Sequence, residues 1–235
     1  MRNTLKHQWL RITVHVGSLI PLTVLIWSYF NQRLGVNPIR EMTLRTGKTA
    51  LILLTLSLAC TPVNTLLGFK PALKVRRALG LYAFLYAAVH LFIFVGLDYG
   101  FDPAMLQDGI MQNRYVLVGL AAFMILLLLA ITSTKGWMRR LGQLWKKLHQ
   151  WVYVAALLAI VHFVWLVKAD VREPLIYGSI VLALVLMRVP YVRKRVSAIR
   201  GHITTRARSK SWSGLVNRIT SRPDSKGNKL RLLDD

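Results

Sequence analysis

The sequence predicts an all-α integral membrane protein, a bundle of six transmembrane helices. Three observations predict it. Of the 235 residues, 54% are apolar and the mean hydropathy is +0.42, more apolar surface than a soluble domain of this size can use. Several windows approach 20 mostly apolar residues, which at about 1.5 Å per residue cross roughly 30 Å of hydrocarbon. The runs are continuous rather than alternating, so they suit helices and not the strands of a membrane barrel.

The spans fall at 12–30, 44–62, 78–97, 114–132, 149–167 and 174–191. The first follows Arg2, Lys6 and Arg11, as in a signal peptide, but it is long and Ser28–Gln32 offers no small-residue cleavage site. It is expected to remain as a helix. The second is expected to stop at Thr61–Pro62, because proline breaks the helical ladder, and the fourth closes on Ile131-Thr132-Ser133. Short connections imply antiparallel neighbours. Neither an internal repeat nor a separate soluble domain is evident.

A net charge of +23 would suggest nucleic acid in a soluble protein; in this chain its distribution reads instead as topology, and no nucleic-acid partner is expected. With the N-terminus inside, the N-terminal segment, the 63–77 and 133–148 loops, and Arg188 with the tail hold 25 of the 32 Lys and Arg residues. Six of the nine acids (Glu41, Asp98, Asp102, Asp108, Asp170 and Glu173) fall outside. Both termini are therefore expected in the cytoplasm, and the chain in a bacterial inner membrane. Residues 193–235 form a basic, Ser-rich tail, expected to be disordered and held near anionic lipid, or else to dock a cytoplasmic electron donor. It is too short for a nicotinamide-binding module and has no Gly-x-Gly-x-x-Gly.

Ionisable residues at membrane depth are costly and usually functional. His7 and His202 lie in the basic ends, whereas His15, His90, His149 and His162 fall in spans or at their edges. One such histidine would ordinarily hydrogen-bond a neighbouring helix, but depth pairs two of these. His90 stands roughly 18 Å from the start of span 3, and His162 roughly 20 Å up span 5. Those spans run the same way, so the two imidazoles share the outer level and could clamp a haem iron from both sides. The fold becomes a six-helix bundle with haem between helices. His149 marks an inner level, where a second haem would let electrons hop across. The matching positions of span 3 are Arg76, Arg77, Ala78 and Leu79, so an inner site would be five-coordinate, completed by another residue such as His15, or absent. His149 and His162 are offset by about 220° on an ideal helix, so a π-bulge or kink is expected between them.

Zinc and copper fit less well, because no carboxylate or thiol accompanies these histidines at depth. Cys60 is the only cysteine, which excludes an intrachain disulfide and a Cys-built iron–sulfur cluster. Trp137 and Trp145 flank Arg139–Arg140 as an aromatic belt would, with a flavin or quinone contact as the alternative. Arg76 and Arg77 suit either orientation charges or pairing with haem propionates.

The run Arg76-Arg77-Ala78-Leu79-Gly80-Leu81-Tyr82 with Tyr86 and His90 resembles the third span of the ferric-reductase-like transmembrane family. So does Ile131-Thr132-Ser133 followed by Trp137, Leu141-Gly142, Trp145, Leu148-His149, Tyr153, His162 and Trp165. The likeness covers about residues 8–192, giving a transmembrane haem-binding domain over 1–192 ahead of the tail. It implies haem b (one or two groups) with His90, His149 and His162 on the iron, and flavin mononucleotide as an optional second cofactor. It also implies electrons drawn from the quinone pool or a cytoplasmic flavin reductase. Their acceptor would be a periplasmic molybdopterin methionine sulfoxide reductase, which repairs oxidised proteins as the partner of a heterodimer. In that system the chain is a non-catalytic electron-transfer subunit. The alternative is a membrane ferric or cupric reductase component whose flavin domain is a separate chain. A small permease would need a polar midplane cavity, for which spans 2, 4 and 6 offer little. The outer acids form a candidate docking rim for the periplasmic partner.

Overall fold

A computed structural model of the chain describes residues 2–167 and 171–188, with side chains from Gln8 onward; the tail over 193–235, His7, His202 and Asp170 lie outside this described part. Its regular elements are all helical. In order they are α1 (Arg2–Phe30), α2 (Pro38–Leu67), α3 (Pro71–Phe92), α4 (Pro103–Gln112), α5 (Arg114–Ile131), α6 (Lys135–Leu141), α7 (Gln143–Leu148), α8 (Val152–Leu166) and α9 (Arg172–Leu186). A π-helical turn, Ile93–Asp98, extends α3, and a 3₁₀ turn, His149–Trp151, joins α7 to α8.

Five stretches are long and apolar enough to cross a membrane: Gln8–Phe30, Pro38–Leu67, Pro71–Asp98, Arg114–Ile131 and Gln143–Leu166. The sixth predicted span coincides with α9, whose 15 residues reach about 22 Å and so fall short of a full crossing by themselves. The chain is thus a multi-pass membrane protein with an apolar exterior, on which Val24, Met124, Leu128, Leu157 and Leu182 stand exposed, as lipid-facing positions should. Below, the end of the bundle between α1 and α2 is called distal and the end between α2 and α3 proximal.

Helix α2 is central. In its most apolar window 44% of the residues are buried, against 11% for α1. It packs most extensively on α3, and α5 packs likewise on α8. Ala83 on α3 and Ala155 and Ala156 on α8 are fully buried, small side chains that let backbones approach where no hydrophobic effect drives helices together.

Two prolines show how freed backbone groups are re-satisfied within the bundle. Pro21 interrupts α1, and the Tyr86 hydroxyl enters the ladder one residue later. It accepts the Leu22 N–H (2.9 Å) and donates to the Ser18 carbonyl (2.7 Å). Satisfied both ways, this tyrosine is 1% exposed. Pro62 does not end α2, contrary to expectation. The helix runs on to Leu67 and stops at Gly68, whose φ of 69° is the left-handed cap that glycine adopts without strain. The carbonyl Pro62 leaves without a donor, that of Leu58, lies 3.4 Å from Arg188 Nη2, so a side chain supplies the missing bond.

The connections hold helices that length alone does not announce. Asp102 accepts the Ala104 and Met105 N–H groups ahead of Pro103, which starts α4. Thr134 caps α6 in the same way.

Candidate functional site between paired histidines

Helix α3 carries His90 and α8 carries His162, and the bundle brings the two rings face to edge with centroids 6.2 Å apart. His90 Nδ1–H donates to the Thr43 carbonyl of α2 (2.9 Å). His162 Nδ1–H donates to the Tyr115 carbonyl of α5 (2.7 Å). A carbonyl can only accept, so each Nδ1 carries the proton and each Nε2 keeps its lone pair for another partner. Two imidazoles sharing one metal ion need their centroids about 6 Å apart, given bonds of about 2 Å on each side. The spacing fits. Among the described residues no group of three or more His, Cys, Asp or Glu converges, so the pair offers two protein donors. Two imidazole donors are too few to hold a bare metal ion and suit one already held by a macrocycle, which is the expectation for haem.

Sequence reading missed the seats of these rings. A Cβ on Gly47 would stand 3.1 Å from the His90 ring, and one on Gly119 would stand 2.6 Å from His162 Nδ1. The Gly119 contact is closer than a real side chain comes and the Gly47 contact would force the ring to give by a few tenths of an ångström, so each histidine ring is seated against a glycine. The two halves also share one register: adding 72 to Thr43, Gly47 and His90 gives Tyr115, Gly119 and His162. Carbonyl, glycine and histidine recur in the same order, the carbonyl and the histidine separated by 47 in both halves. The same shift carries Ala83–His90 onto Ala155–His162, with five of eight residues identical. The chain therefore does contain an internal repeat, one that self-comparison at this offset would have exposed.

His149 is held differently. Its Nδ1–H donates to the Trp145 carbonyl (3.1 Å), and Trp145 stacks on its ring with centroids 4.0 Å apart. Trp145 Nε1–H donates in turn to the Thr132 carbonyl (3.0 Å), so this tryptophan braces a histidine as well as standing at a bundle end. Trp137, with Arg140 over its ring at 5.8 Å, fits the aromatic belt. His149 Nε2 lies 3.5 Å from Ser133 Oγ, whose hydroxyl already donates to the Leu129 carbonyl (2.7 Å). Where a π-bulge or kink was expected, the structure has a 3₁₀ turn. Three residues at about 120° instead of 100° cut the misalignment of His149 and His162 from about 140° to about 80°.

His15 does not meet His149. It is exposed on α1, where its Nδ1 bonds the Tyr82 hydroxyl (2.9 Å) and the two rings meet edge-on. Arg77 is exposed, whereas Arg76 turns inward, with Nη1 3.5 Å from Thr61 Oγ1.

Comparison with known proteins gives one consistent result. Residues 46–160 match the family model described as ferric reductase like transmembrane component. The chain is 44% identical over 182 residues to the protein-methionine-sulfoxide reductase heme-binding subunit MsrQ of Xanthomonas axonopodis pv. citri, covering 75% of this chain and 84% of that one. It is 43% identical to the proteins of the same name from Xanthomonas euvesicatoria pv. vesicatoria (83% of this chain, 90% of the relative) and Rhodospirillum rubrum (80% and 91%).

Proposed function

The chain belongs to the MsrQ family of ferric-reductase-like membrane proteins, and from that premise we propose that it is the haem-carrying electron relay of a periplasmic methionine sulfoxide reductase system. The observation that carries the reading is the distal pair, His90 and His162. These side chains would hold a haem b, which when bound supplies reversible one-electron chemistry. The chain's own part is to keep both Nε2 atoms unprotonated and free of the backbone bonds that occupy Nδ1. The Thr43 and Tyr115 carbonyls fix both tautomers and ring orientations, and such a bond raises imidazole basicity. His149, braced by Trp145, would hold a second haem nearer the proximal end, which would supply an intermediate stop for electrons crossing the bilayer.

The basic loops orient the bundle with its proximal end and both termini in the cytoplasm of an inner membrane, and α9 makes a sixth crossing. Electrons enter from the quinone pool or a cytoplasmic flavin reductase, with flavin mononucleotide as an optional carrier. They leave at the distal end toward a soluble molybdopterin reductase, which performs the chemistry on oxidised methionine. An optical spectrum of the purified protein tests this reading. Reduction by dithionite should bring up the sharp bands of a six-coordinate low-spin b haem, and reoxidation should follow addition of the periplasmic partner. A purified, folded chain without haem absorption would overturn it.

A further inference from the structure

At the proximal end two guanidinium groups meet at one hydroxyl, with no carboxylate between them among the described residues. Arg188, just past α9, bonds the Tyr153 hydroxyl of α8 and the Thr61 hydroxyl of α2 (2.6 Å for the latter). Arg76 of α3 approaches the same Thr61 hydroxyl at 3.5 Å. We propose that Arg76 and Arg188, joined through Thr61, form a binding site for an oxyanion, a carboxylate or phosphate group, beside His149.

The charges require it. Arginine stays protonated in proteins, and a charge withdrawn from water is costly unless it is paired. Every partner named for Arg188 is neutral, namely two hydroxyls, the Leu58 carbonyl and the face of Tyr153, 5.1 Å from the guanidinium carbon. Its Nε is buried without any hydrogen bond. The two ion pairs among the described residues, Glu41–Arg45 and Lys48–Glu173, lie at the distal end. Pro62 explains one bond, because it frees the Leu58 carbonyl, but a carbonyl cancels no charge. The carboxyl end of α9 offsets about half a charge, which leaves about one and a half positive charges unbalanced. An oxyanion would accept from Arg188 Nε–H, the donor its present contacts leave unused, and from the Nε–H and Nη2–H fork of Arg76, the geometry for which arginine is suited.

The location points to what arrives. Tyr153 stands one helical turn beyond His149 on the same helix, and Arg76 lies within electrostatic reach of both His149 and Arg188. Two sources share the chemistry: a carboxylate side chain of a haem at His149, or the phosphate of an anionic lipid. Only the first rests on the relay proposed above.

The test compares the full-length chain with Arg76→Gln, Arg188→Gln and their double substitution, purified alike. Haem per chain, phosphorus per chain and the melting temperature are measured, with the low-spin signal of the His90–His162 pair reporting the fold. For the haem carboxylate, each substitution should weaken retention of the second haem about tenfold, while the distal signal stays. For the lipid phosphate, bound phosphorus should fall and haem should not. If the chain proves to hold no haem, the phosphorus count still decides. Should Arg188→Gln fail to accumulate, Arg188→Lys keeps the charge, loses the fork, and should still weaken retention about tenfold. The proposal is overturned if both counts match the wild type. It is also overturned if Arg188→Gln melts at or above the wild-type temperature, since removing one of two unpaired like charges would then only relieve repulsion.

Discussion

The distal and proximal ends of this bundle use the same pair of helix hairpins to different ends. At the distal level each hairpin contributes a backbone carbonyl, a glycine and a histidine, so the two rings stand as near-equivalent halves of one clamp. At the proximal level the equivalence fails. The shift of 72 that carries His90 onto His162 carries Arg77 onto His149, so one hairpin presents an imidazole where the other presents a cation. The lesson is that a repeated scaffold supplies positions, and the side chains decide what each level does. A symmetric pair of histidines offers a metal two equivalent donors; a histidine beside arginines favours an anion or an anionic edge of a cofactor.

Removing a distal ligand should break this comparison most severely. His90→Ala or His162→Ala should each abolish the low-spin b spectrum of that centre, because the remaining imidazole cannot close a six-coordinate site. His149→Ala should lower the haem count and spare the distal signal, and His15→Ala should leave both alone, since His15 is occupied with Tyr82. Wild-type spectra from both distal variants would refute the pairing. An unchanged haem count in His149→Ala would mean that one haem is bound.

The next effect is graded, and it separates the two halves of the clamp. A methyl on Gly119 would sit 2.6 Å from His162 Nδ1, closer than any real side chain, whereas one on Gly47 would sit 3.1 Å from His90, a distance that a shift of a few tenths of an ångström relieves. Losing the group that orients a metal ligand typically costs 10–100-fold in affinity, so Gly119→Ala should fall near the top of that range and Gly47→Ala near or below its foot. Haem titration of the two variants, with the low-spin band as the second readout, checks the order. Equal losses would mean that the glycines do not set the ring positions.

How much of this was legible in the sequence depends on which physical signal each feature leaves. Hydropathy located the helices crossing the membrane, because spanning requires length and apolarity that nothing else in the chain imitates. Depth counting matched His90 with His162, because an α-helix has a fixed rise. Pro62 misled, since the side chain that replaces its lost bond, Arg188, comes from more than a hundred residues away. The seats Gly47 and Gly119 look like ordinary small residues of a membrane helix until their partners are in place. His15 and His149 share a predicted depth, but depth does not fix azimuth, and α1 turns His15 toward Tyr82.

The smallest effect concerns the acids at the distal rim, which the structure divides into two groups. Asp102 caps α4 through two backbone N–H groups, Glu173 pairs with Lys48 and Glu41 with Arg45, so these three already serve the fold. Asp98 closes the π-helical turn and Asp108 sits on α4, which makes them the acids to test for docking the periplasmic partner. Asp102→Ala would confuse a lost cap with a lost contact and should be avoided. Asp98→Asn with Asp108→Asn keeps shape and removes two charges. Charge at a rim acts mainly on encounter, over a screening length of about 10 Å at 0.1 M salt. Electron transfer to the partner should therefore slow by roughly two- to threefold at low ionic strength and converge on the wild-type rate as salt rises. Stopped-flow reoxidation across a salt series measures it. Rates identical to wild type at every ionic strength would leave these aspartates as the ordinary acidic complement of a rim poor in lysine and arginine, with the histidine clamp unaffected.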